Sequence, residues 1–189
     1  MEKTKKNKAD IVKSLPKVGE DKKEYSCSSI RWTGISMQRI LSAKDYKYLF
    51  VGENDVFKFS PTNGILATFQ EILKTDKLYE IPVFVPGVGF CFLICGGLFD
   101  CNLRNKLATY YVQTGGVPVC GDFILCGISK RLNIGFDDVF SRNVSEFNPK
   151  HVRPFSSKVL KKLFDYFDDA FEYECYQDFW FARMEDDEE

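Results

Sequence analysis

IPVFVPGVGFCFLICGGLF, residues 81–99, is the stretch that decides the fold. It carries no charge and raises the question of a membrane-spanning helix, which needs about 20 mostly apolar residues. Prolines and glycines interrupt it, and inside a helix each proline costs about 3 kcal/mol and each glycine about 1 kcal/mol relative to alanine. The residues between them favour buried strands, and Pro86-Gly87 fits the centre of a type II turn. We therefore predict two core strands joined by a tight turn, with no membrane segment.

Further elements are predicted on both sides of this hairpin. Strands are expected at 46–51 and 56–59, around the turn Glu53-Asn54-Asp55. Apolar residues at helical spacing predict a helix over 64–75, and a shorter helix is expected at 34–43. After the hairpin, strands are expected at 106–113 and 117–128. Ser156 or Ser157 caps an amphipathic helix, and alternating residues predict a last strand over 171–181.

Two of the predicted strands share a short motif. Phe92-Leu93-Ile94-Cys95-Gly96 returns 31 residues later as Phe123-Ile124-Leu125-Cys126-Gly127. A duplicated hairpin and the limited vocabulary of buried strands both account for this similarity.

These elements predict an α+β fold, mainly an antiparallel β-sandwich or small barrel with two or three packed helices, the amphipathic C-terminal helix among them. A flexible Lys-rich arm is expected over 1–24, a single globular domain over 25–182 and an acidic tail over 183–189. The net charge of −1 conceals this asymmetry, since lysines crowd the first segment and carboxylates the last.

Catalytic and metal-binding patterns are weak. The seven cysteines include only one pair at zinc-knuckle spacing, Cys91 and Cys95, and both stand among apolar residues where a strand places them on one face. The single histidine, His151, has no protease signature around Cys27, its candidate partner. Phosphate-binding glycine loops and carboxylate dyads are also missing. We expect no enzyme, no cofactor and no metal. The polar N-terminus lacks a signal peptide, which predicts reduced thiols in the cytoplasm or nucleus.

Aromatic residues near the C-terminus support the leading hypothesis, a non-enzymatic protein–protein interaction module. Interfaces are enriched in Trp, Tyr and Phe, and acidic flanks steer basic partners. The expected partner-binding residues are Tyr176, Phe179, Trp180 and Phe181. A small domain rich in Phe, Tyr and Cys also fits the composition of viral or host-interaction proteins.

Cations interleaved with aromatic rings support the alternative, a nucleic-acid-binding or capsid-like β protein. Its Lys arm would neutralise the phosphates of RNA or DNA, and rings beside the cations would stack on bases. The expected nucleic-acid-binding residues are Lys3, Lys5, Lys6, Lys8, Arg31, Lys44, Lys47, Lys130 and Arg131.

Overall fold

The computed structural model describes residues 46–53, 55–61, 63–98 and 105–186, without the side chains of 176 and 178–186. Within these ranges the chain forms seven strands and four helices. The strands are β1 (Tyr48–Val51), β2 (Val56–Phe59), β3 (Tyr79–Val85), β4 (Gly89–Leu98), β5 (Val119–Ile128), β6 (Ser145–Glu146) and β7 (Val152–Arg153). The helices are α1 (Ile65–Leu73), α2 (Lys106–Tyr111), α3 (Phe136–Phe140) and α4 (Ser157–Asp186).

The uncharged stretch forms the β3–β4 hairpin, which confirms the prediction. The Val88 amide donates to the Val85 carbonyl at 3.1 Å and closes a four-residue turn. Gly87 has φ +76°, which the third position of a type II turn requires and which glycine adopts without steric cost. In the described part of the chain, no helix combines the length and the apolar character needed to cross a membrane.

All pairings in the sheet are antiparallel, and its strand order is β2-β1-β5-β4-β3-β6, with β7 added beside β5. The two similar motifs pair with each other at the centre of this sheet. Phe92 lies opposite Cys126, and Cys95 lies opposite Phe123. The motifs are largely buried on both faces of the sheet, a position that favours the residue types they share.

Side chains alternate between two cores, one on each face of the sheet. We call the core that contains Leu93 and Leu125 the first core, and we call the core that contains Ile94 and Ile124 the second core. Cys91 and Cys95 both belong to the first core, on one face of β4 as expected.

Different segments cover the two cores. Helix α4 covers the first core with four buried side chains, Leu160, Leu163, Phe167 and Ala170. The second core is covered by α1, which contributes Phe69 and Ile72, and by an irregular segment over 129–153. That segment contributes Leu132, Ile134, Phe147 and Val152.

The prediction of a strand over 106–113 is wrong, because residues 106–111 form α2. Asn105 begins the helix by accepting a hydrogen bond from the Ala108 amide at 3.1 Å. The Asn105 side chain also donates to the Gly121 carbonyl at 2.8 Å, which fixes the helix start against β5. A local N-cap therefore overrides the strand preference of the tyrosines that follow.

The predicted last strand over 171–181 is also wrong, because α4 continues without interruption to Asp186. Tyr173 and Cys175, which the alternating pattern assigned to a buried face, are exposed. The Tyr111 hydroxyl donates to the Glu174 carboxylate at 2.9 Å and ties this part of the helix to α2. The alternation of aromatic and acidic residues arises here without a sheet.

The fold class is α+β, as predicted, and the structure corrects its details. The sheet is not closed into a barrel, so that alternative is wrong, and the β-sandwich is not confirmed. Four helices are present in the described ranges rather than two or three, and the amphipathic C-terminal helix is confirmed. Ser156 caps it by accepting from the Val159 amide at 3.3 Å. The predicted arm over 1–24 and the helix over 34–43 lie outside the described residues.

Candidate interaction surfaces

Four phenylalanine rings meet at the tip of the β3–β4 hairpin, and we call this group the aromatic surface. Phe84 and Phe90 face each other across the hairpin with ring centroids 5.2 Å apart. The Phe136 ring lies 4.8 Å from Phe84 and 4.9 Å from Phe90. Phe140 stacks on Phe136 at 5.9 Å. Phe136 is 44% exposed and Phe140 is 63% exposed, so the group continues from the sheet into solvent.

The position of α3 explains this exposure. Asp138 holds the start of the helix by accepting a hydrogen bond from the Gly135 amide at 2.8 Å. Val139 is buried and anchors the helix, while Phe136 and Phe140, one helical turn apart, share another side. Sequence analysis missed this pair because α3 falls in a stretch with no helical periodicity to reveal it.

A buried carboxylate organises the irregular segment that carries α3. Glu80 lies on β3 and is only 2% exposed. Its Oε1 atom pairs with His151 Nδ1 at 2.5 Å and accepts from the Ser145 hydroxyl at 3.2 Å. Its Oε2 atom accepts from the Asn148 amide at 2.9 Å. One side chain of the sheet therefore holds three points of the segment, and we call this group the Glu80 cluster.

Hydrogen bonds hold the His151 ring of the Glu80 cluster on both sides. His151 Nε2 lies 3.3 Å from the Asn148 side-chain amide, so both ring nitrogens have partners within the Glu80 cluster. The Ser145 hydroxyl contacts Glu80 and not the imidazole. Nucleophilic catalysis needs a base within hydrogen-bond reach of a nucleophile, and the described residues supply no such pair around His151.

Burial disfavours the ionised form of three cysteine thiols on the central strands. Burial raises the pKa of Cys91 and of Cys95 to about 12, and it raises the pKa of Cys126 well above its ordinary value. These thiols stay protonated near neutral pH, whereas the thiolate is the reactive and ligating form. Among residues described by the structure, no group of three or more His, Cys, Asp or Glu side chains can hold a metal ion.

Three of the residues predicted to bind nucleic acid are described, and each is exposed: Lys47, Lys130 and Arg131. The other predicted residues, Lys3, Lys5, Lys6, Lys8, Arg31 and Lys44, lie outside the described residues. Backbone hydrogen bonds place the segments that carry these three residues beside β7. The Ser129 amide donates to the His151 carbonyl at 2.8 Å, and the Phe155 amide donates to the Lys47 carbonyl at 3.0 Å.

Exposed cations therefore gather around β7, and we call this group the basic surface. It comprises Lys47, Lys130, Arg131, Lys150, Arg153 and Lys158. Sequence analysis missed the last three. A usable signal was present, because residues 147–164 contain five Lys or Arg and no Asp or Glu.

The residues predicted to bind a protein partner, Tyr176, Phe179, Trp180 and Phe181, fall within α4, and their side chains lie outside the described part of the structure. Tyr173, just before them, is 57% exposed. Helix α4 thus exposes one aromatic side chain, Tyr173, to solvent just before this stretch.

Compared with models of known protein families, with curated proteins and with solved structures, the chain shows no match. The functional argument therefore rests on the surfaces themselves.

Proposed function

We propose that this chain is a non-enzymatic protein-binding module that docks an apolar segment of a partner protein on the aromatic surface. The observation that carries this proposal is the exposure of Phe136 and Phe140 beside two further phenylalanines. Fully burying a phenylalanine side chain contributes about 1.5–3 kcal/mol, and these two rings leave much of that free energy unused. Contiguous apolar surface of this kind marks interaction sites.

The shape of the surface indicates the chemistry of its partner. The stacked and tilted rings form an uneven apolar surface against which aliphatic or aromatic side chains can pack. Phenylalanine is also enriched in interface cores. Asp137 is exposed on the same short helix, which places a negative charge at the border. A segment with an apolar anchor and a flanking lysine or arginine fits this combination.

The aromatic residues of α4 form a second proposed contact for the same function. Tyr176, Phe179, Trp180 and Phe181 follow the exposed Tyr173 on one continuous helix. A helix with aromatic residues is a common way to present anchors to a partner's groove. The aromatic surface is the contact that the experiment below tests, because its rings are described.

Selection from a displayed library of random 16-residue peptides tests the proposal. We expect the full-length chain to enrich peptides with apolar anchors, and we expect the double variant Phe136→Ser/Phe140→Ser to bind them at least tenfold more weakly. Tyr110→Ser is the matched control, because Tyr110 is 71% exposed on α2. It should bind the selected peptides like the unmodified chain.

Two results would contradict the proposal. One is equal peptide binding by the double variant and the unmodified chain, with unchanged melting temperatures for both. The other is a concentration-dependent dimer in sedimentation equilibrium that the double variant abolishes. In that case the aromatic surface joins two copies of this chain instead of binding a different partner.

A further inference from the structure

The basic surface combines cations from four separate parts of the chain. Lys130 and Arg131 follow β5, Lys150 precedes β7 and Arg153 lies in it, Lys47 precedes β1, and Lys158 lies in the first turn of α4. The backbone hydrogen bonds from Ser129 to His151 and from Phe155 to Lys47 bring these parts together. Segments far apart in sequence thus meet here, and each of them carries exposed cations.

Carboxylates do not neutralise this area within the described part of the chain. No ion pair joins Lys130, Arg131 or Lys150 to a described carboxylate. The two ion pairs seen there are Lys161 with Asp165, farther along α4, and His151 with the buried Glu80. Like charges held close together repel each other. A surface that keeps them unpaired is suited to an anionic ligand.

The Glu80 cluster keeps this surface in place. Glu80 fixes Asn148 and His151, the residues on either side of Lys150 in the 148–151 turn. The Asn148 side chain accepts from the Lys150 amide at 3.0 Å. The backbone that carries Lys150 is therefore held from below by the sheet, which lowers the conformational entropy lost on binding.

We propose that the basic surface binds the phosphate backbone of a nucleic acid. Phosphates repeat along a strand, and cations distributed over several chain segments match such a repeat. Arg131 and Arg153 add planar guanidinium groups that can contact phosphate through two hydrogen bonds. This is an activity additional to the proposed protein binding, and it uses other residues.

The chemistry of the surface favours nucleic acid over an acidic protein. Protein interfaces have an apolar centre. The exposed large apolar side chains of the described residues are Leu66, Tyr110, Phe136, Phe140 and Tyr173. None of them is a sequence neighbour of a cation of the basic surface, so a protein partner would find charge there without an anchor.

Fluorescence anisotropy with a labelled 20-nucleotide single-stranded RNA tests the proposal on the full-length chain, between 50 and 200 mM salt. We expect measurable binding that weakens with salt. The triple variant Lys130→Glu/Arg131→Glu/Lys150→Glu should bind more than tenfold more weakly at 50 mM. Since each phosphate contact on a single strand contributes about 0.7 to the slope of log K against log salt, that slope should fall by about 2.

Lys106→Glu is the matched control for a single variant, Lys130→Glu. Lys106 is exposed on α2, beside the beginning of β5, because the Asn105 amide donates to the Val119 carbonyl. Lys130 follows the other end of that ten-residue strand. We expect Lys130→Glu to lower the salt slope by about 0.7 and Lys106→Glu to leave it unchanged.

Several outcomes would overturn the proposal. They are the absence of RNA binding at 50 mM salt, equal binding by the triple variant with its melting temperature retained, and equal effects of Lys106→Glu and Lys130→Glu. Polyglutamate provides the remaining test. If it competes with RNA at the same concentration of charge, the surface recognises acidic chains in general, and the phosphate-specific proposal fails. If polyglutamate does not compete, the binding of duplex RNA and duplex DNA of the same length identifies which backbone the surface prefers.

Discussion

The two faces of the sheet are covered in different ways. The first core lies under two regular elements, the thirty-residue helix α4 and the shorter helix α2. The second core lies under a nine-residue helix, α1, and under the irregular segment over 129–153, whose secondary structure is one short helix and two strands of two residues. Regular helices satisfy their own backbone hydrogen bonds, whereas an irregular segment needs partners from elsewhere.

Glu80 supplies such partners for the irregular segment. Its two carboxylate oxygens take part in contacts with Ser145, Asn148 and His151. A buried carboxylate is expensive unless it is fully hydrogen-bonded, and here its contacts position a stretch of chain that has little periodic structure. The first core contains no comparable carboxylate among its described residues.

The comparison suggests a division of labour between the covers. Four of the six cations of the basic surface, Lys130, Arg131, Lys150 and Arg153, lie on the irregular segment, as do the exposed rings of the aromatic surface. Loops on a rigid scaffold commonly carry function, because they can vary without disturbing the core. On this view the part of α4 that packs on the first core mainly stabilises the fold, and the irregular segment mainly presents binding groups.

The largest expected effect comes from removing a ring under the regular cover. Phe167 is fully buried and packs edge-on against Phe123 at 6.1 Å. We expect Phe167→Ala to lower the free energy of unfolding by about 3–5 kcal/mol. Phe147, under the irregular cover, stacks on Phe69 at 5.4 Å and is 7% exposed, so Phe147→Ala should cost less. Urea denaturation measures both.

Phe140→Ala is the control for these two variants. Its ring is 63% exposed, and a surface substitution of this kind changes stability by less than about 0.5 kcal/mol. If Phe147→Ala costs as much as Phe167→Ala, the two covers contribute equally to stability, and the proposed division of labour is wrong.

A smaller effect is expected from the Glu80 cluster. Glu80→Gln keeps the shape of the side chain and removes the charge that His151 faces, so we expect a loss of about 1–3 kcal/mol. Hydrogen exchange should accelerate at the amides of Asn148 and Ser129, which bond to Glu80 and to the His151 carbonyl. The amide of Leu163 in α4 should accelerate by no more than the measured loss in the free energy of unfolding, because it does not contact the Glu80 cluster.

Glu146→Gln is the matched control, because this carboxylate lies on the same segment and is exposed. It should change neither stability nor exchange at these amides. A double-mutant cycle with His151→Ala measures the coupling directly, and contacting residues typically couple by about 0.5–3 kcal/mol. A coupling of zero would show that Glu80 does not hold the segment through His151.

Strong local signals made much of the fold predictable. Pro86-Gly87 marked the β3–β4 turn, and the apolar stripe over 64–75 marked α1. The strands on both sides of Glu53 and the strand β5 were also identified correctly. In each of these elements, local preference and burial agree.

The failures come from interactions that are distant in sequence or that patterns do not reveal. Asn105 starts α2 through contacts that include Gly121, sixteen residues away. In the sequence, Glu80 stands at the polar boundary of an apolar stretch, which suggests an exposed residue. In the structure it is buried, because His151, seventy-one residues later, packs beside it. The proposed surfaces were only partly foreseen for the same reason, since tertiary structure brings Lys47 and Lys130 to the same area.

The smallest predicted effect asks whether both covers exclude water equally. Burial raises the pKa of Cys91 in the first core from the ordinary 9.0 to about 12, and it also raises the pKa of Cys126 in the second core. The unfolded chain ionises these thiols at lower pH than the folded chain does. The stability associated with them is therefore fully present below pH 9 and is lost as pH rises toward the folded-state pKa.

At pH 10, one unit above the unfolded pKa, ionisation of the Cys91 thiol in the unfolded chain lowers the free energy of unfolding by about 1.4 kcal/mol. When urea denaturation at pH 8 is compared with that at pH 10, this alkaline loss of stability should be smaller by about that amount in Cys91→Ala, and it should also be smaller in Cys126→Ala. Cys175→Ala, at an exposed position, should leave it unchanged. If only Cys91→Ala reduces the alkaline loss, water reaches the second core, and the irregular cover seals the sheet less completely than α4 does.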